Sequence, residues 1–377
     1  MAKKKVMVVF GTRPDAIKMA PVIAELRMSA NLDTVAVSTG QHREMLHQAL
    51  RAFRIRPDYS LDVMTPNQSL EEVTCDVLKE LGPVMEVEKP DMVLVHGDTS
   101  TAFASALFAY YHRIPVGHVE AGLYSDDPYS PYPEEMNRRL ISDLSEIHFA
   151  PTESAKSNLV VRGIDQNKVH VTGNTIADAV RMVLKPDYKF QNPLFQDLIG
   201  GPRRILLTTA HRRENWGRPL ESICQALTEL VLRRNDIEVV YPVHLHPNVE
   251  RLARRSLHNI DRINLTPPLG FEEFLHLERE SYLILTDSGG LQEEAPCLKK
   301  PVLVLRNVTE REDGLKSGSV KLVGTMAPEI IRETERLLDD PDEYKRMASA
   351  PNPYGDEGAA KRIARHVWDF LSNGKLH

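Results

Sequence analysis

The sequence predicts an α/β protein made of two doubly wound, Rossmann-like domains with a cleft between them, and three observations predict it. Short apolar runs alternate with longer stretches of helical period, the signature of repeated βα units on a parallel sheet. The alternation fails once, across 185–203, where Pro186, Pro193, Gly200, Gly201 and Pro202 collect, and then restarts. A length of 377 residues exceeds one ordinary domain and suits two, each able to bury its own core. The expected division is 1–184 for the N-terminal domain, 185–203 for an interdomain connection and 204–357 for the C-terminal domain. Residues 358–377 are then a terminal helix able to pack back on the first domain.

The first strand is Val6 to Phe10, an uninterrupted apolar run of the kind buried on both faces of a parallel sheet. Further strands follow at Thr34 to Ser38, Met92 to His96, Val116 to Val119, Ile147 to Ala150 and Val169 to Thr172. Between them, Ala16 to Met28, His42 to Phe53, Leu70 to Glu88, Thr99 to Tyr111, Glu134 to Ser145 and Glu153 to Arg162 carry apolar residues at helical spacing. Gly82-Pro83 is expected to kink or split the third helix, because proline lacks the amide that a helix interior needs. In the second domain, strands Ile205 to Thr209, Ile237 to Pro242, Tyr282 to Thr286 and Val302 to Leu305 alternate with helices Leu220 to Arg234, Phe271 to Arg279, Leu291 to Cys297 and Ala327 to Leu338. After Pro351 to Gly355 comes the last helix, Gly358 to Leu371.

Composition narrows the partners. With 47 basic and 53 acidic residues, a net charge of -6 and no basic stripe, nucleic acid and acidic membrane surfaces are not expected, and a small ligand is. Cys75, Cys224 and Cys297 match no disulfide or CxxC spacing, as in a reducing compartment. Met1 to Lys5 leads straight into a strand too short for a signal peptide or membrane span, so a cytoplasmic protein is expected. No GxGxxG follows a strand and no GxxxxGK[ST] occurs, which argues against classical dinucleotide and Walker sites and leaves room for a sugar nucleotide.

The chemistry-bearing residues cluster where strands end, the ligand-binding edge of open α/β sheets. His211-Arg212-Arg213-Glu214-Asn215 sets an imidazole and two guanidinium groups behind a strand, and Gly11 to Lys18 brings Arg13 and Lys18 to another, so both could face one diphosphate. Asp98 follows the strand Met92 to His96, Glu120 ends Gly117 to Gly122, and Glu134 opens a helix behind Pro131 and Pro133. Taken singly, Asp98 also fits a helix N-cap and Glu134 a first-turn acid. Together the three acids could supply proton donor and acceptor. In Asp287-Ser288-Gly289-Gly290-Leu291-Gln292-Glu293-Glu294 the glycines expose amides at a positive helix end, suited to phosphate, while Glu294 can accept ribose hydroxyls. The same glycines also suit a simple turn. Arg306 and Arg311 follow the next strand as phosphate contacts or surface ion pairs. His244 and His246 would face one side of an extended segment, yet no further ligand stands nearby, so no metal site is expected.

These motifs, with Thr39-Gly40-Gln41-His42-Arg43 and Thr309-Glu310-Arg311, fall in the order found in the non-hydrolysing UDP-N-acetylglucosamine 2-epimerases, and from Gly11 to about Arg311 the chain resembles that family. The resemblance implies a GT-B-like fold, a homodimer, and inversion at C2 of a UDP-sugar without NAD, metal or other cofactor. It implies that Asp98, Glu120 and Glu134 act as acid, base and cation stabiliser, in an order left open. It places His211, Arg13, Lys18 and the amides of Ser288, Gly289 and Gly290 on the diphosphate, with Arg311 alongside. Phe274 resembles the uracil-contacting position and Glu294 the ribose acceptor. The chain departs at Tyr124-Ser125, where the family usually has Arg-Thr, at Asn67, where many relatives have Arg, and at Glu312-Asp313, where Pro-Glu is usual. Lost guanidinium groups imply weaker activation by a second UDP-sugar and leave room for another substrate such as UDP-glucose. The rivals are a hydrolysing 2-epimerase, a GT-B glycosyltransferase and a non-catalytic UDP-sugar sensor.

Overall fold

The computed structural model describes residues 3–40, 43–65, 68–125 and 127–373. The chain forms two compact units, one comprising Met1–Val183 and Tyr354–His377, the other Leu184–Pro353. In the first unit the elements are β1 (Lys4–Phe10), α1 (Arg13–Met28), β2 (Leu32–Ser38), α2 (Arg43–Ala52), β3 (Tyr59–Ser60), α3 (Leu70–Glu88), β4 (Met92–His96), α4 (Ser100–Tyr111), β5 (Val116–Val119), α5 (Glu134–Leu144), β6 (Ile147–Ala150), α6 (Glu153–Val161), β7 (Val169–Val171) and α7 (Ile176–Val183). The second unit carries α8 (Pro193–Leu198), β8 (Arg204–Thr209), α9 (Arg218–Arg233), β9 (Ile237–Pro242), α10 (Pro247–Leu257), β10 (Ile263–Thr266), α11 (Phe271–Glu280), β11 (Leu283–Thr286), α12 (Gly289–Cys297), β12 (Val302–Val304), α13 (Glu312–Ser317), β13 (Val320–Leu322), α14 (Ala327–Asp339) and α15 (Pro341–Ala348). The closing helix α16 (Ala359–Ser372) belongs to the first unit.

Among the described residues, the strand order is β3-β2-β1-β4-β5-β6-β7 in one sheet and β10-β9-β8-β11-β12-β13 in the other. Neighbouring strands pair in parallel throughout. Successive side chains of a strand point to opposite faces, and here both faces are covered. Val6, Val8 and Phe10 enter one core with Met19, Ile23 and Leu26 of α1, while Met7 and Val9 enter another with Val77 and Leu81 of α3. In the second unit Leu206 and Leu285 pack with α9, while Ile205, Leu207 and Ile284 pack with Phe274 and Leu277 of α11. Among the described residues no helix is long and apolar enough to cross a membrane.

Helix α16 lays Ala360, Ile363, Val367 and Leu371 on the core shared with α1. The Ala360 amide donates to Asp178 Oδ2 at 2.8 Å and Arg362 Nε to the Thr172 carbonyl at 2.8 Å, which ties the returning chain down. Helix α3 runs from Leu70 to Glu88 through Gly82-Pro83, where the sequence predicts a kink or a split, and it is not split there. Burial of Leu81, Val84 and Met85 on either side of the proline outweighs its missing hydrogen bond. The stretch 185–203, expected as a connection, holds α8 capped by Asn192 and buries Phe190 and Phe195 in the second unit's core. Strands β3, β10 and β13 and helices α7, α10, α13 and α15 also lie outside the sequence expectation, being too short or too charged to show a clear period.

One glycine shapes β5 and another the turn behind it. Gly122 has φ +88, and a Cβ there would lie 2.2 Å from the Ala155 carbonyl oxygen. Gly122→Ala is therefore expected to lower the urea midpoint, the left-handed backbone alone costing about 1–3 kcal/mol. An unchanged midpoint would show that the turn does not press on α6. Gly117 leaves no more room, since a Cβ would meet Leu94 Cδ2 at 2.5 Å.

Candidate active site

In each sheet the strand order reverses once, at β1/β4 in the first unit and at β8/β11 in the second. Ligands of open α/β sheets bind outside the carboxyl ends of the strands at such reversals. Four of the motifs start there: Gly11 behind β1, Gly97-Asp98 behind β4, His211 behind β8 and Asp287 behind β11.

In the first unit the polar groups converge on Glu120. It follows β5 with φ +63, an uncommon backbone for a residue other than glycine, and its side chain is only 11% exposed. Oε2 forms an ion pair with Lys18 Nζ, accepts from Asn174 Nδ2 at 3.0 Å and faces His96 Nε2 at 3.7 Å. The other nitrogen of His96, Nδ1, lies 3.1 Å from Asp15 Oδ1. Asp15 is held in turn, its Oδ2 accepting from the Thr12 amide at 3.1 Å while Thr12 and Asp15 form the capping box of α1. Burial opposes a charge on His96, but the Glu120 carboxylate and the Asp15 hydrogen bond outweigh it and raise the imidazole to about 9. His118 behaves oppositely. Burial, then the neighbouring His148, pushes it down to about 3, and the neutral ring donates from Nε2 to the Gly97 carbonyl at 2.7 Å, supporting the turn that carries Asp98.

Asp98 is bound from α5, where Arg138 Nη2 pairs with its carboxylate and Asn137 Nδ2 donates to its carbonyl at 3.0 Å. Glu134 sits half-buried in the first turn of the same helix. Its neighbour Glu135 is fully buried and accepts from Arg138 Nη1 at 2.8 Å, Arg139 Nε at 2.7 Å and the Ser125 amide at 2.9 Å. Glu135 thus orients the guanidinium that grips Asp98. Tyr124 donates to Ser142 Oγ at 2.7 Å and lies beneath the Arg162 guanidinium at 4.9 Å. Asn67, Gln41 and His42 lie outside the described residues.

In the second unit Asp287 is the organising group. Fully buried, its Oδ2 accepts from the His211 and Arg212 amides, each at 2.8 Å, and from Asn215 Nδ2 at 2.9 Å. Its Oδ1 lies 3.4 Å from His211 Nδ1, and the His211 ring stacks on His244 at 5.4 Å. Helix α12 begins beside them. A Cβ on Gly289 would lie 3.3 Å from both Arg212 Nη2 and Arg311 Cζ, so two guanidinium groups rest against the helix N-terminus. Arg311 also pairs with Glu293 at 3.0 Å and Glu310 at 2.7 Å. Burial would raise Glu310, but Arg311, Arg306 and Arg212 outweigh it and hold the carboxyl at about 2. Glu294 lies one turn on, its Oε1 3.3 Å from where a Gly290 Cβ would be.

Several residues expected on the ligand have partners within the protein. Lys18, expected on a diphosphate, pairs with Glu120. The Ser288 amide donates to Thr286 Oγ1 at 2.9 Å, leaving the Ser288 hydroxyl and the Gly289 and Gly290 amides at the helix end. Phe274 is 8% exposed within the apolar core. His246 caps α10 and stacks on Trp216 at 4.2 Å. Arg13 stands at the first position of α1, beside the residues around Glu120. Sequence reading passed over Asp15, Asn174 and Glu135. Glu135 left a local trace in its spacing of three and four residues to Arg138 and Arg139, and Asp15 in the capping-box spacing from Thr12; Asn174 left none.

The family described as UDP-N-acetylglucosamine 2-epimerase matches residues 24–367. A UDP-N-acetylglucosamine 2-epimerase of Yersinia pestis is 48% identical over 366 residues, 96% of this chain and 97% of its own. One from Bacillus subtilis (strain 168) is 48% identical over 367 residues, 97% of this chain and 96% of its own. The crystal structure of UDP-GlcNAc 2-epimerase from Neisseria meningitidis bound to UDP-GlcNAc aligns with a TM-score of 0.90 at 45% identity, covering 97% of this chain and 100% of that one. The fold is accordingly GT-B-like, and the chain belongs to the UDP-N-acetylglucosamine 2-epimerase family.

Proposed function

We propose that this chain is a non-hydrolysing epimerase that interconverts UDP-N-acetylglucosamine and UDP-N-acetylmannosamine by elimination and re-addition of UDP. The observation that carries the reading is the buried carboxylate Glu120, held by Lys18 and Asn174 at the carboxyl end of β5. A buried, fixed carboxylate is what abstraction of a carbon-bound proton requires.

The C2 hydrogen of the sugar has no adjacent carbonyl and is not acidic. Cleavage of the C1–O bond with UDP leaving first puts positive charge on C1 and acidifies C2–H. A carboxylate then takes the proton, the C–H pair becomes the C1–C2 double bond, and a glycal remains with UDP. Protonation at C2 from the other face and return of UDP to C1 completes the inversion. Glu120 and Asp98 are the proposed proton-transferring acids, with Glu134 stabilising charge near C1. Arg13, His211, the Ser288 hydroxyl and the Gly289 and Gly290 amides are proposed to stabilise the departing diphosphate, with Arg311 close by. Glu294 would accept the ribose hydroxyls, and the exposed edge of Phe274 would border the uracil. The family resemblance supports a homodimer working in the cytoplasm.

The test is incubation with UDP-N-acetylglucosamine in heavy water, followed by NMR, with UDP-glucose as a parallel arm. Deuterium at C2, gluco and manno products together and little free UDP are expected. Stoichiometric release of UDP would identify a hydrolase instead. No exchange without an acceptor would point to a glycosyltransferase, and binding with no turnover to a sensor.

A further inference from the structure

We propose that His96 is a positioning residue that, as an imidazolium clamped between Asp15 and Glu120, aims the Glu120 carboxylate and keeps it ionised; this rests on the reading of Glu120 as a proton-transferring group. Three neighbouring elements build the clamp. His96 is the last residue of β4, whose register pairs it with Val119, so the side chain of the next residue, Glu120, comes within reach. Asp15 comes from the first turn of α1, and its carboxylate is fixed by the Thr12 amide at 3.1 Å and Thr99 Oγ1 at 3.4 Å. The imidazole is 4% exposed, with Nδ1 3.1 Å from Asp15 Oδ1 and Nε2 3.7 Å from Glu120 Oε2.

Among the described residues Nε2 makes no hydrogen bond, so it acts on Glu120 through charge across 3.7 Å, and the protonated ring is the form that suits two flanking carboxylates. With Nδ1–H donated to Asp15, a neutral ring would turn the Nε2 lone pair toward a carboxylate oxygen, whereas the imidazolium offers a proton to each side. Charge balance agrees: Asp15 and Glu120 bring two negative charges, and Lys18 and protonated His96 bring two positive ones. When Glu120 takes the C2 proton it becomes neutral, and two cations then face Asp15 alone. That imbalance favours loss of the proton again, which is what a group that must give protons back requires. The other titratable groups near the ring are Lys18 on α1 and His118 on β5; His118 stays neutral and donates to Gly97.

The imidazolium form spans the neutral range and is lost as pH rises through about 9, so the wild-type kcat is expected to fall across that range. His96→Gln keeps a polar side chain without the titrating charge. It is expected to lower kcat by about 10²-fold, as for a small misplacement of a catalytic group, with KM nearly unchanged and the alkaline limb gone. Asp15→Asn removes one partner and is expected to move that limb to lower pH. In NMR spectra of histidine-labelled protein, one imidazole should titrate near the same pH as kcat, vanish in His96→Gln and shift down in Asp15→Asn. A His96→Gln enzyme with wild-type kcat and an intact alkaline limb would overturn the proposal. So would an Asp15→Asn enzyme that titrates like wild type, a result readable even if His96→Gln does not fold. If the wild type exchanges no C2 hydrogen at any pH while His96 still titrates near 9, the reading of Glu120 fails and the clamp is structural.

Discussion

Glu120→Gln is expected to lower kcat for epimerisation by about 10²–10⁴-fold, the usual worth of a positioned acid or base. Glutamine keeps the size and can still accept from Asn174, but it cannot take a proton from carbon. It also removes the charge that faces Lys18 and His96, so the loss combines chemistry with electrostatics. The measurement is C2 exchange in heavy water beside kcat, with UDP affinity followed by calorimetry. UDP should bind as to the wild type, because the groups proposed to hold uridine and diphosphate lie mostly in the second unit. Exchange at the wild-type rate would remove Glu120 from the proton-transfer step and return the choice to Asp98 and Glu134.

Asp287→Ala is expected to cost about 3–5 kcal/mol, the range seen when a buried charged network loses a member. Three donors now end on one oxygen of Asp287, the amides of His211 and Arg212 and the side chain of Asn215. Without it the His211 and Arg212 amides lose their acceptor, Asn215 keeps only the Leu305 carbonyl, and the His211 loop loses its tie to the strand end behind β11. The urea midpoint of the second unit should fall, and UDP should bind at least about tenfold more weakly, the equivalent of 1.4 kcal/mol. Asp287→Asn should lie between, since the amide oxygen can still accept from the three donors while the negative charge is lost. Wild-type stability with wild-type UDP affinity would show that His211 is placed by some other contact.

Much of the architecture was legible because each central strand is buried on both faces. A run such as Val6 to Phe10 then has no alternative to a parallel sheet flanked by helices, and the helices reveal themselves by their spacing. The positions of Asp98, Glu120, His211 and Asp287 were legible for a related reason: each lies one or two residues behind a strand, and the carboxyl ends of the strands are where such sheets bind. Edge strands of two to four residues, such as β3 and β10, carry too few side chains to display a period. Pro83 did not split its helix, because a rule about local backbone cost takes no account of what Leu81, Val84 and Met85 gain by packing.

Partnerships were another matter. Lys18 reaches Glu120 across 102 positions of sequence, His96 reaches Asp15 across 81 and Asn174 reaches Glu120 across 54. Nothing in a window of neighbours can show that a lysine placed to bind phosphate lies against a carboxylate, or that a strand-end histidine is shared by two acids. Burial pushes both His96 and His118, two histidines on adjacent strands, toward the neutral form, but the Glu120 and Asp15 carboxylates beside His96 reverse this and make it a cation while His118 stays a neutral donor. The chain on its own determined which elements form and which reactive groups stand at their ends, since periodicity and strand termini are local properties. Which of those groups touch, and the charge each one carries, was decided only by tertiary packing, because Coulomb energies and desolvation depend on distances in space and not on separation along the chain.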